Sequence, residues 1–208
     1  METPTLSPAD RKVLLTGGGG GIASALRKTL EGKCLLVAPD RLHLDVTDEQ
    51  AVRRCFLEQG PFDVVINNAG CIHPATVKDS VPAEWIRDIQ VNLIGAYLVA
   101  RMALEQNPGV TIVNIASTAG YAAYKGWSAY CASKAGLLTL TKSLAREGVK
   151  AFAVAPGATD TKFRAGLGLP DTSLMPPERI SELILDIMEG TYRPGDVLFV
   201  RQNEFKVL

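Results

Sequence analysis

Tyr130 and Lys134 stand four residues apart at the start of an apolar segment with helical periodicity. On a helix, positions i and i+4 lie on one face, so this spacing holds a phenol beside an ammonium group. A free tyrosine has a pKa near ~10, and a neighbouring cation lowers it by favouring the phenolate. The pair therefore predicts a general acid/base that works near neutral pH. The same spacing arises by chance in many helices, so the pair alone also allows two unrelated surface residues.

A run of five glycines follows the first apolar segment of the chain. Lys12–Thr16 is predicted to be a buried strand, Gly17–Gly21 a turn, and Ile22–Leu30 a helix. Glycines let the backbone approach a pyrophosphate closely, and a helix N-terminus offers free N–H groups at the positive end of its dipole. The pattern predicts a phosphate-binding turn, with a flexible loop of no special purpose as the alternative.

Strand and helix patterns alternate along the rest of the chain, which is typical of a parallel sheet covered by helices on both faces. The predicted strands are Lys12–Thr16, Cys34–Ala38, Leu42–Val46, Phe62–Ile66, Val110–Ala116, Lys150–Ala155 and Val197–Val200. The predicted helices are Ile22–Leu30, Glu49–Glu58, Trp85–Leu104, the helix that carries Tyr130 and Lys134 and extends to Glu147, and Pro177–Met188.

We therefore predict an α/β fold, a Rossmann-type doubly wound parallel sheet of about seven strands. It forms a single domain over residues 11–208, preceded by an N-terminal tail over residues 1–10. The glycine- and proline-rich stretch that ends at Pro176 is expected to be a mobile loop that closes over substrate.

A glycine, a proline or a polar residue marks the end of six of the predicted strands. In an open parallel sheet, ligands bind at the carboxyl ends of the strands, and all six residues belong to that edge. They are Gly17, Asp40, Asp45, Asn67, Ser117 and Pro156. The sequence thus predicts one site along one edge of the sheet.

Composition and charge exclude several other classes. The 22 Lys and Arg balance the 22 Asp and Glu, so no nucleic-acid or membrane partner is expected. No secretory signal or membrane-spanning run is apparent. The four cysteines lack metal-ligand spacing and are expected to be free thiols in a reducing compartment, the cytoplasm. His43, in the predicted third strand, and His73 have no metal-ligand neighbours in the sequence, so no metal is expected.

Together these motifs resemble the short-chain dehydrogenase/reductase family over nearly the whole chain. The glycine turn matches the family's T-G-x-x-x-G-x-G, with Ala23 in place of the last glycine. The serine-to-tyrosine spacing of thirteen residues also matches. The other matching segments are Asn67–Gly70, Asp45–Val46, Val91–Leu93, Asn114–Ser117 and Pro156–Thr161.

The resemblance implies a role for each catalytic candidate. Tyr130 exchanges a proton with the substrate oxygen, and Ser117 hydrogen-bonds that oxygen. Lys134 lowers the pKa of Tyr130 and holds the nicotinamide ribose. Asn92 loosens its helix locally and supports a water path to Lys134. From the residues alone, Ser117 as a helix cap and Asn92 as an ordinary buried amide stay open.

The resemblance also implies a bound nicotinamide dinucleotide. Asp40 lies nineteen residues after Gly21, where an acidic side chain binds the ribose diol, so NAD is favoured over NADP. Arg41 beside it leaves NADP open. The implied cofactor-binding residues are Thr16, Gly17, Gly19, Gly20, Gly21, Ile22, Asp40, Arg41, Asp45, Val46, Asn68, Ala69, Gly70, Tyr130, Lys134, Pro156, Gly157, Thr159 and Thr161.

The implied reaction interconverts a small-molecule secondary alcohol and a ketone. The segment between Ser117 and Tyr130, which includes Tyr121, Tyr124 and Trp127, is expected to line the substrate pocket together with the loop Thr159–Met175. The three aromatics also suit packing against the sheet or a subunit contact. The family implies a homodimer or homotetramer. A sugar-nucleotide epimerase or dehydratase and a non-catalytic dinucleotide sensor remain alternatives.

Overall fold

The computed structural model describes residues 10–165, 167 and 173–208, so the predicted tail lies outside them except for Asp10. The described residues form one seven-stranded sheet in the order β2-β1-β3-β4-β5-β6-β7. Its strands are β1 Lys12–Leu15, β2 Leu35–Val37, β3 Val64–Asn67, β4 Thr111–Ile115, β5 Lys150–Pro156, β6 Val197–Arg201 and β7 Glu204–Val207. All neighbouring strands are parallel except β6 and β7, which are antiparallel.

Helices cover both faces of the sheet, as the sequence predicts. They are α1 Gly21–Leu30, α2 Glu49–Gln59, α3 Pro82–Ile89, α4 Ala96–Gln106, α5 Ser128–Arg146, α6 Lys162–Ala165 and α7 Glu178–Met188. Because strand side chains alternate between faces, Val13 and Leu15 pack with α1 and α7, whereas Leu14 packs with α2 and α4. The fold is therefore the predicted doubly wound α/β architecture.

The prediction of a strand at Leu42–Val46 is wrong, because this segment folds into turns. The carboxylate of Asp40 accepts hydrogen bonds from the backbone N–H groups of Leu42 and His43, and the Asp40 carbonyl accepts from Leu44. These local bonds compete with strand pairing. His43 consequently lies in an exposed turn, and β2 forms the edge of the sheet.

The sequence prediction missed β7. It pairs with β6 through a two-residue turn, Gln202–Asn203, which is the shortest common hairpin connection. The alternation of Glu204–Val207 after an asparagine was the available signal. The expected number of strands is thus correct, but the antiparallel β7 replaces the strand predicted at residues 42–46.

The predicted long helix Trp85–Leu104 is one continuous helical segment with an interruption in its middle. Gln90–Gly95, between α3 and α4, has π-helical hydrogen bonding and contains the buried Asn92. Such a wide turn is rare and often occurs at functional sites. The local loosening expected at Asn92 is therefore present in the backbone.

Among the described residues, every helix is too short or too polar to cross a lipid bilayer.

The turn between β1 and α1 packs tightly against the end of β2. The N–H of Gly18 donates to the Pro39 carbonyl at 2.8 Å. A Cβ at residue 18 would lie 2.2 Å from the Ala38 carbonyl oxygen, which is closer than van der Waals contact allows. At Gly19 the nearest atom would be the Asp40 Cβ at 3.8 Å, an ordinary contact.

We expect Gly18→Ala to lower the free energy of unfolding by roughly 1–3 kcal/mol, because the added methyl group forces the turn away from β2. The matched variant Gly19→Ala should change it by less than about 0.5 kcal/mol. Urea unfolding followed by circular dichroism measures both. Equal stability of the two variants would show that the turn is not packed as described.

Candidate active site

A cavity of about 1200 Å³ opens at the carboxyl ends of β1, β3, β4 and β5. We call it the larger cavity. It brings together most of the residues that the sequence placed in the site. Those that line it are Gly17, Gly19, Gly20, Gly21, Ile22, Asp40, Arg41, Asn68, Ala69, Gly70, Ser117, Tyr130, Lys134, Pro156, Gly157, Thr159 and Thr161.

Four predicted site residues do not line the larger cavity: Thr16, Asp45, Val46 and Asn92. Thr16 is buried beneath it, and its hydroxyl accepts hydrogen bonds from the backbone of Asn68 and Ala69 at 3.0 and 3.1 Å. Asp45 and Val46 line a neighbouring cavity of about 560 Å³, the smaller cavity.

Asp45 is held in a polar network at the smaller cavity. Its carboxylate accepts hydrogen bonds from Thr47 and, at 3.0 Å, from the guanidinium of Arg87. Burial raises the pKa of Asp45, but these hydrogen bonds and the Arg87 charge outweigh burial and hold it at about 2. The carboxylate is therefore ionised and already paired.

The glycine turn offers backbone donors to the larger cavity. Gly17 adopts a left-handed conformation with φ of 67°, which glycine reaches without strain. Gly20 caps α1, and no side chain caps this helix end. The first N–H groups of α1 are therefore open to an anion, and the helix dipole favours one there.

The phenol of Tyr130 lies close to the hydroxyl of Ser117 inside the larger cavity. Ser117 follows β4 and also accepts from the N–H of Ala119, so it caps the short helical turn Thr118–Gly120. The structural role that the sequence left open for Ser117 is thus real, and it coexists with the contact to Tyr130.

Lys134 lies beside Tyr130, with its amine 5.6 Å from the centre of the phenol ring. The amine is buried and donates to the Ile115 carbonyl at the end of β4, at 2.7 Å. Burial lowers the pKa of Lys134 to about 8, because the charged form has lost its hydration.

The pKa of Tyr130 is raised to about 12, mainly by burial, although the neighbouring Ser117 hydroxyl lowers it. The sequence predicted the opposite direction, from the charge of Lys134. That prediction is wrong for this arrangement, since burial of the phenol decides the direction of the shift and the lysine amine donates to Ile115 instead. Tyr130 is consequently protonated at neutral pH.

Asn92 fastens the loop after β3 to α5. Its amide accepts from the N–H of Cys71 at 2.8 Å and donates to the carbonyl of the same residue at 2.9 Å. The amide also donates to Ser133, whose hydroxyl donates to the Tyr130 carbonyl. Asn92 is thus a fully bonded buried amide, and its part in a water path to Lys134 stays a prediction.

Asp40 and Arg41 border the larger cavity at the end of β2. One carboxylate oxygen of Asp40 lies 2.7 Å from His43 Nδ1, and this hydrogen bond is the main reason why the pKa of Asp40 is lowered. The exposed guanidinium of Arg41 lies 3.8 Å from Asp45. The negative charge therefore sits at the position that the sequence indicated.

Aromatic side chains form part of the cavity wall. Tyr124 and Trp127 line it, but Tyr121 does not, because its ring packs against Phe199 at 5.9 Å. The Trp127 ring also meets the Tyr130 ring edge-on at 5.8 Å. Of the predicted lid loop, residues 166 and 168–172 lie outside the described residues.

The sequence analysis missed several residues of the wall. Most belong to the β6–β7 hairpin, which was not recognised, and two lie in the loops after β2 and β3. They are Arg201, Gln202, Asn203, Glu204, Leu42 and Ile72.

The statement that neither histidine has metal-ligand neighbours is wrong for His73. The fold brings its ring within reach of Cys71 and of Asp88 on α3, and the three ligand atoms lie within 4.8 Å of one another. Burial, with Asp88 beside the thiol, raises the pKa of Cys71 to about 12. Sequence spacing could not show this cluster, because Asp88 joins it only through the tertiary fold.

Comparison with known proteins identifies related sequences. A family model described as short chain dehydrogenase matches residues 40–170. An uncharacterised oxidoreductase of Staphylococcus aureus is 32% identical over 208 residues, covering 85% of this chain and 90% of that protein. A 3-oxoacyl-[acyl-carrier-protein] reductase of Mycobacterium avium is 35% identical over 196 residues, covering 80% of this chain and 77% of that protein.

Solved structures share the fold. A short-chain type dehydrogenase/reductase from Mycobacterium marinum superposes with a TM-score of 0.84 at 23% identity, covering 94% of this chain and 96% of that one. A 3-ketoacyl-(acyl-carrier-protein) reductase from Brucella melitensis, complexed with NADH, gives 0.82 at 24% identity, covering 95% and 99%.

The lowered pKa of Lys134 predicts a pH dependence of stability. Between pH 8 and 10.5, the folded state has released the lysine proton that the unfolded state still holds, so stability should rise with pH in this window. Replacement of the ammonium group in Lys134→Met removes this dependence. Urea unfolding at several pH values tests it through the difference in unfolding free energy between wild type and variant. A difference that stays constant from pH 8 to 10.5 would contradict burial of the charge.

Proposed function

The chain belongs to the short-chain dehydrogenase/reductase family and is therefore an oxidoreductase, and from this premise we propose that it interconverts a secondary alcohol and a ketone. The observation that carries the proposal is the closeness of the Tyr130 phenol to the Ser117 hydroxyl and to Lys134, in the same cavity as the glycine turn. A proton donor and the anion-binding N-terminus of α1 therefore face the same cavity.

The residues of the larger cavity fit a nicotinamide dinucleotide. The open N-terminus of α1 and the glycine turn would hold the pyrophosphate, because backbone N–H groups and the helix dipole favour an anion. Lys134 would hold the nicotinamide ribose, and Asp40 the adenosine ribose. When bound, the dinucleotide supplies the hydride chemistry, and the protein supplies position, a proton and electrostatics.

Tyr130 donates the proton in the direction of ketone reduction. Its phenol is protonated at neutral pH, which is the form that a proton donor requires. Ser117, whose hydroxyl lies close to the same phenol, offers a second hydroxyl to the substrate oxygen, where negative charge develops. Lys134, buried beside the ring, stabilises the phenolate that remains after the transfer.

The charge at the end of β2 favours NAD over NADP. Asp40 is ionised, and its carboxylate lies in the cavity wall where a 2′-phosphate would bring a second negative charge. Arg41 leans towards Asp45, with the two charged groups 3.8 Å apart, which draws its cation away from that position. Asp40 and Arg41 therefore both favour NAD over NADP.

The substrate class is proposed from the aromatic side chains of the cavity wall and from one named relative. Tyr124 and Trp127 present aromatic surface to the cavity and suit a flat or apolar ketone. A 3-oxoacyl thioester belongs in the first substrate panel, because one relative is named as a reductase of that class.

Exposed Ile94 and Tyr97 lie in the same continuous helical segment as Asn92, and they suit a contact with a second copy of this chain.

Tyr130→Phe should lower kcat by at least ~100-fold, because the proton donor is removed while the ring is kept. Binding of the dinucleotide, followed by cofactor fluorescence, should change little. Tyr192→Phe, which removes a hydroxyl far from the cavity, is the matched control and should retain activity. Full activity of Tyr130→Phe would exclude the acid/base role. Cofactor binding by the wild type without turnover on any ketone or alcohol would indicate a sensor.

Asp40→Asn should reduce the NAD-to-NADP ratio of kcat/KM by roughly 10-fold, because the amide lacks the charge that repels a 2′-phosphate. Asparagine is the sharper test than alanine, since its oxygen still accepts from the backbone of Leu42 and His43 and preserves the turn. Steady-state kinetics with both dinucleotides give the ratio. An unchanged ratio would show that Asp40 does not set the preference.

A further inference from the structure

We propose that Cys71, His73 and Asp88 form a binding site for one zinc ion, at the smaller cavity and separate from the proposed oxidoreductase site. None of the three side chains lines the larger cavity. The proposal does not depend on the dinucleotide or on the proposed reaction, because it concerns a different set of donor atoms.

The three side chains offer the donor types that zinc prefers. A thiol, an imidazole nitrogen and a carboxylate oxygen lie within 4.8 Å of one another. One oxygen of Asp88 lies 3.3 Å from the Cys71 sulfur and 2.7 Å from His73 Nδ1. Three such ligands with an open fourth position are the usual protein contribution to an accessible zinc site.

The backbone around these ligands is held by further hydrogen bonds. Asn92 bonds both the N–H and the carbonyl of Cys71. The N–H of His73 donates to the second oxygen of Asp88 at 3.0 Å, which leaves the first oxygen facing the sulfur and the ring. Asp88 itself is buried on α3. Such supporting bonds orient metal ligands before the ion arrives.

Neighbouring residues of the loop after β3 face different cavities, which is why the site is separate. Residues 71–73 belong to no helix or strand. Ile72 lines the larger cavity, whereas Cys71 and His73 line the smaller one. The smaller cavity gives an ion a path to the ligands and room for a water molecule as the fourth ligand.

Charge balance favours a thiolate-binding ion. Loss of the thiol proton gives one thiolate, which together with the Asp88 carboxylate neutralises a divalent cation, while His73 binds as the neutral ring. Two cations lie close by, but Arg87 is paired with Asp45 and Lys134 donates to Ile115. Their field opposes ions held by charge alone, so magnesium should bind poorly where zinc, held by sulfur, binds well.

The three side chains also bond one another, and the alternative is a purely structural cluster that fastens the loop to α3. Metal titration separates these roles. Cobalt is the first probe, because a cobalt–thiolate bond gives a charge-transfer absorption band. The full chain, freed of metal by a chelator and kept reduced, should bind one equivalent of cobalt, and one equivalent of zinc should abolish the band. Magnesium at the same concentration should leave it unchanged.

Variants assign the ligands. Cys71→Ser should abolish the cobalt band while its hydroxyl still donates to Asp88, and His73→Asn should weaken cobalt binding by at least ~10-fold. Cys55→Ser, at another half-buried cysteine, is the matched control and should bind as the wild type does. The absence of stoichiometric binding to the wild type, or equal binding by Cys71→Ser, would overturn the proposal.

A second measurement needs no variant. Zinc should protect Cys71 from alkylation in the folded wild-type protein, and peptide mass spectrometry identifies which thiol is protected. Equal alkylation of Cys71 with and without zinc would also overturn the proposal, even where a variant fails to fold.

Discussion

The hydrogen bond from the buried Lys134 amine to the Ile115 carbonyl is the contact on which the site depends. Burying an ammonium group is costly, and the cost falls only where an oxygen accepts from it. The Ile115 carbonyl, which ends β4, accepts this bond, so the bond fixes α5 against that strand. Tyr130 then lies one turn before Lys134, and Ser117 two residues after Ile115, which brings their hydroxyls together. The burial of Lys134 against β4 therefore accounts both for the position of the two hydroxyls and for the lowered pKa of the lysine.

The remaining parts of the larger cavity are held by contacts between loops that are distant in sequence. Asn68, after β3, donates to the carbonyls of Thr16 and Gly17. A Cβ at Gly21 would lie 2.8 Å from Thr161, so the loop after β5 packs directly on the glycine turn. Because parallel strands end at one edge, each loop supports its neighbour. The cavity is shaped by this mutual support rather than by any single loop.

Sequence patterns predicted the architecture and most of the cavity, because strand ends and glycine spacing are local features. They failed where tertiary or side-chain contacts decide. The Asp40 carboxylate turned residues 42–46 away from a strand, and no periodicity reveals such a bond. The pKa of Tyr130 was predicted from one neighbour, Lys134, whereas burial sets its direction. The grouping of Cys71 with Asp88 needed α3 to be placed first.

The loop after β3 is where the two proposed sites meet. Gly70 lines both cavities, and a Cβ there would lie 3.3 Å from the Asn92 oxygen and 3.8 Å from the Lys134 amine. Asn92 in turn bonds both backbone groups of Cys71. The π-helical segment sets the position of Asn92, so one irregular turn holds the loop for both clusters. Because Gly70 has no side chain, the two sites can share this loop without blocking each other.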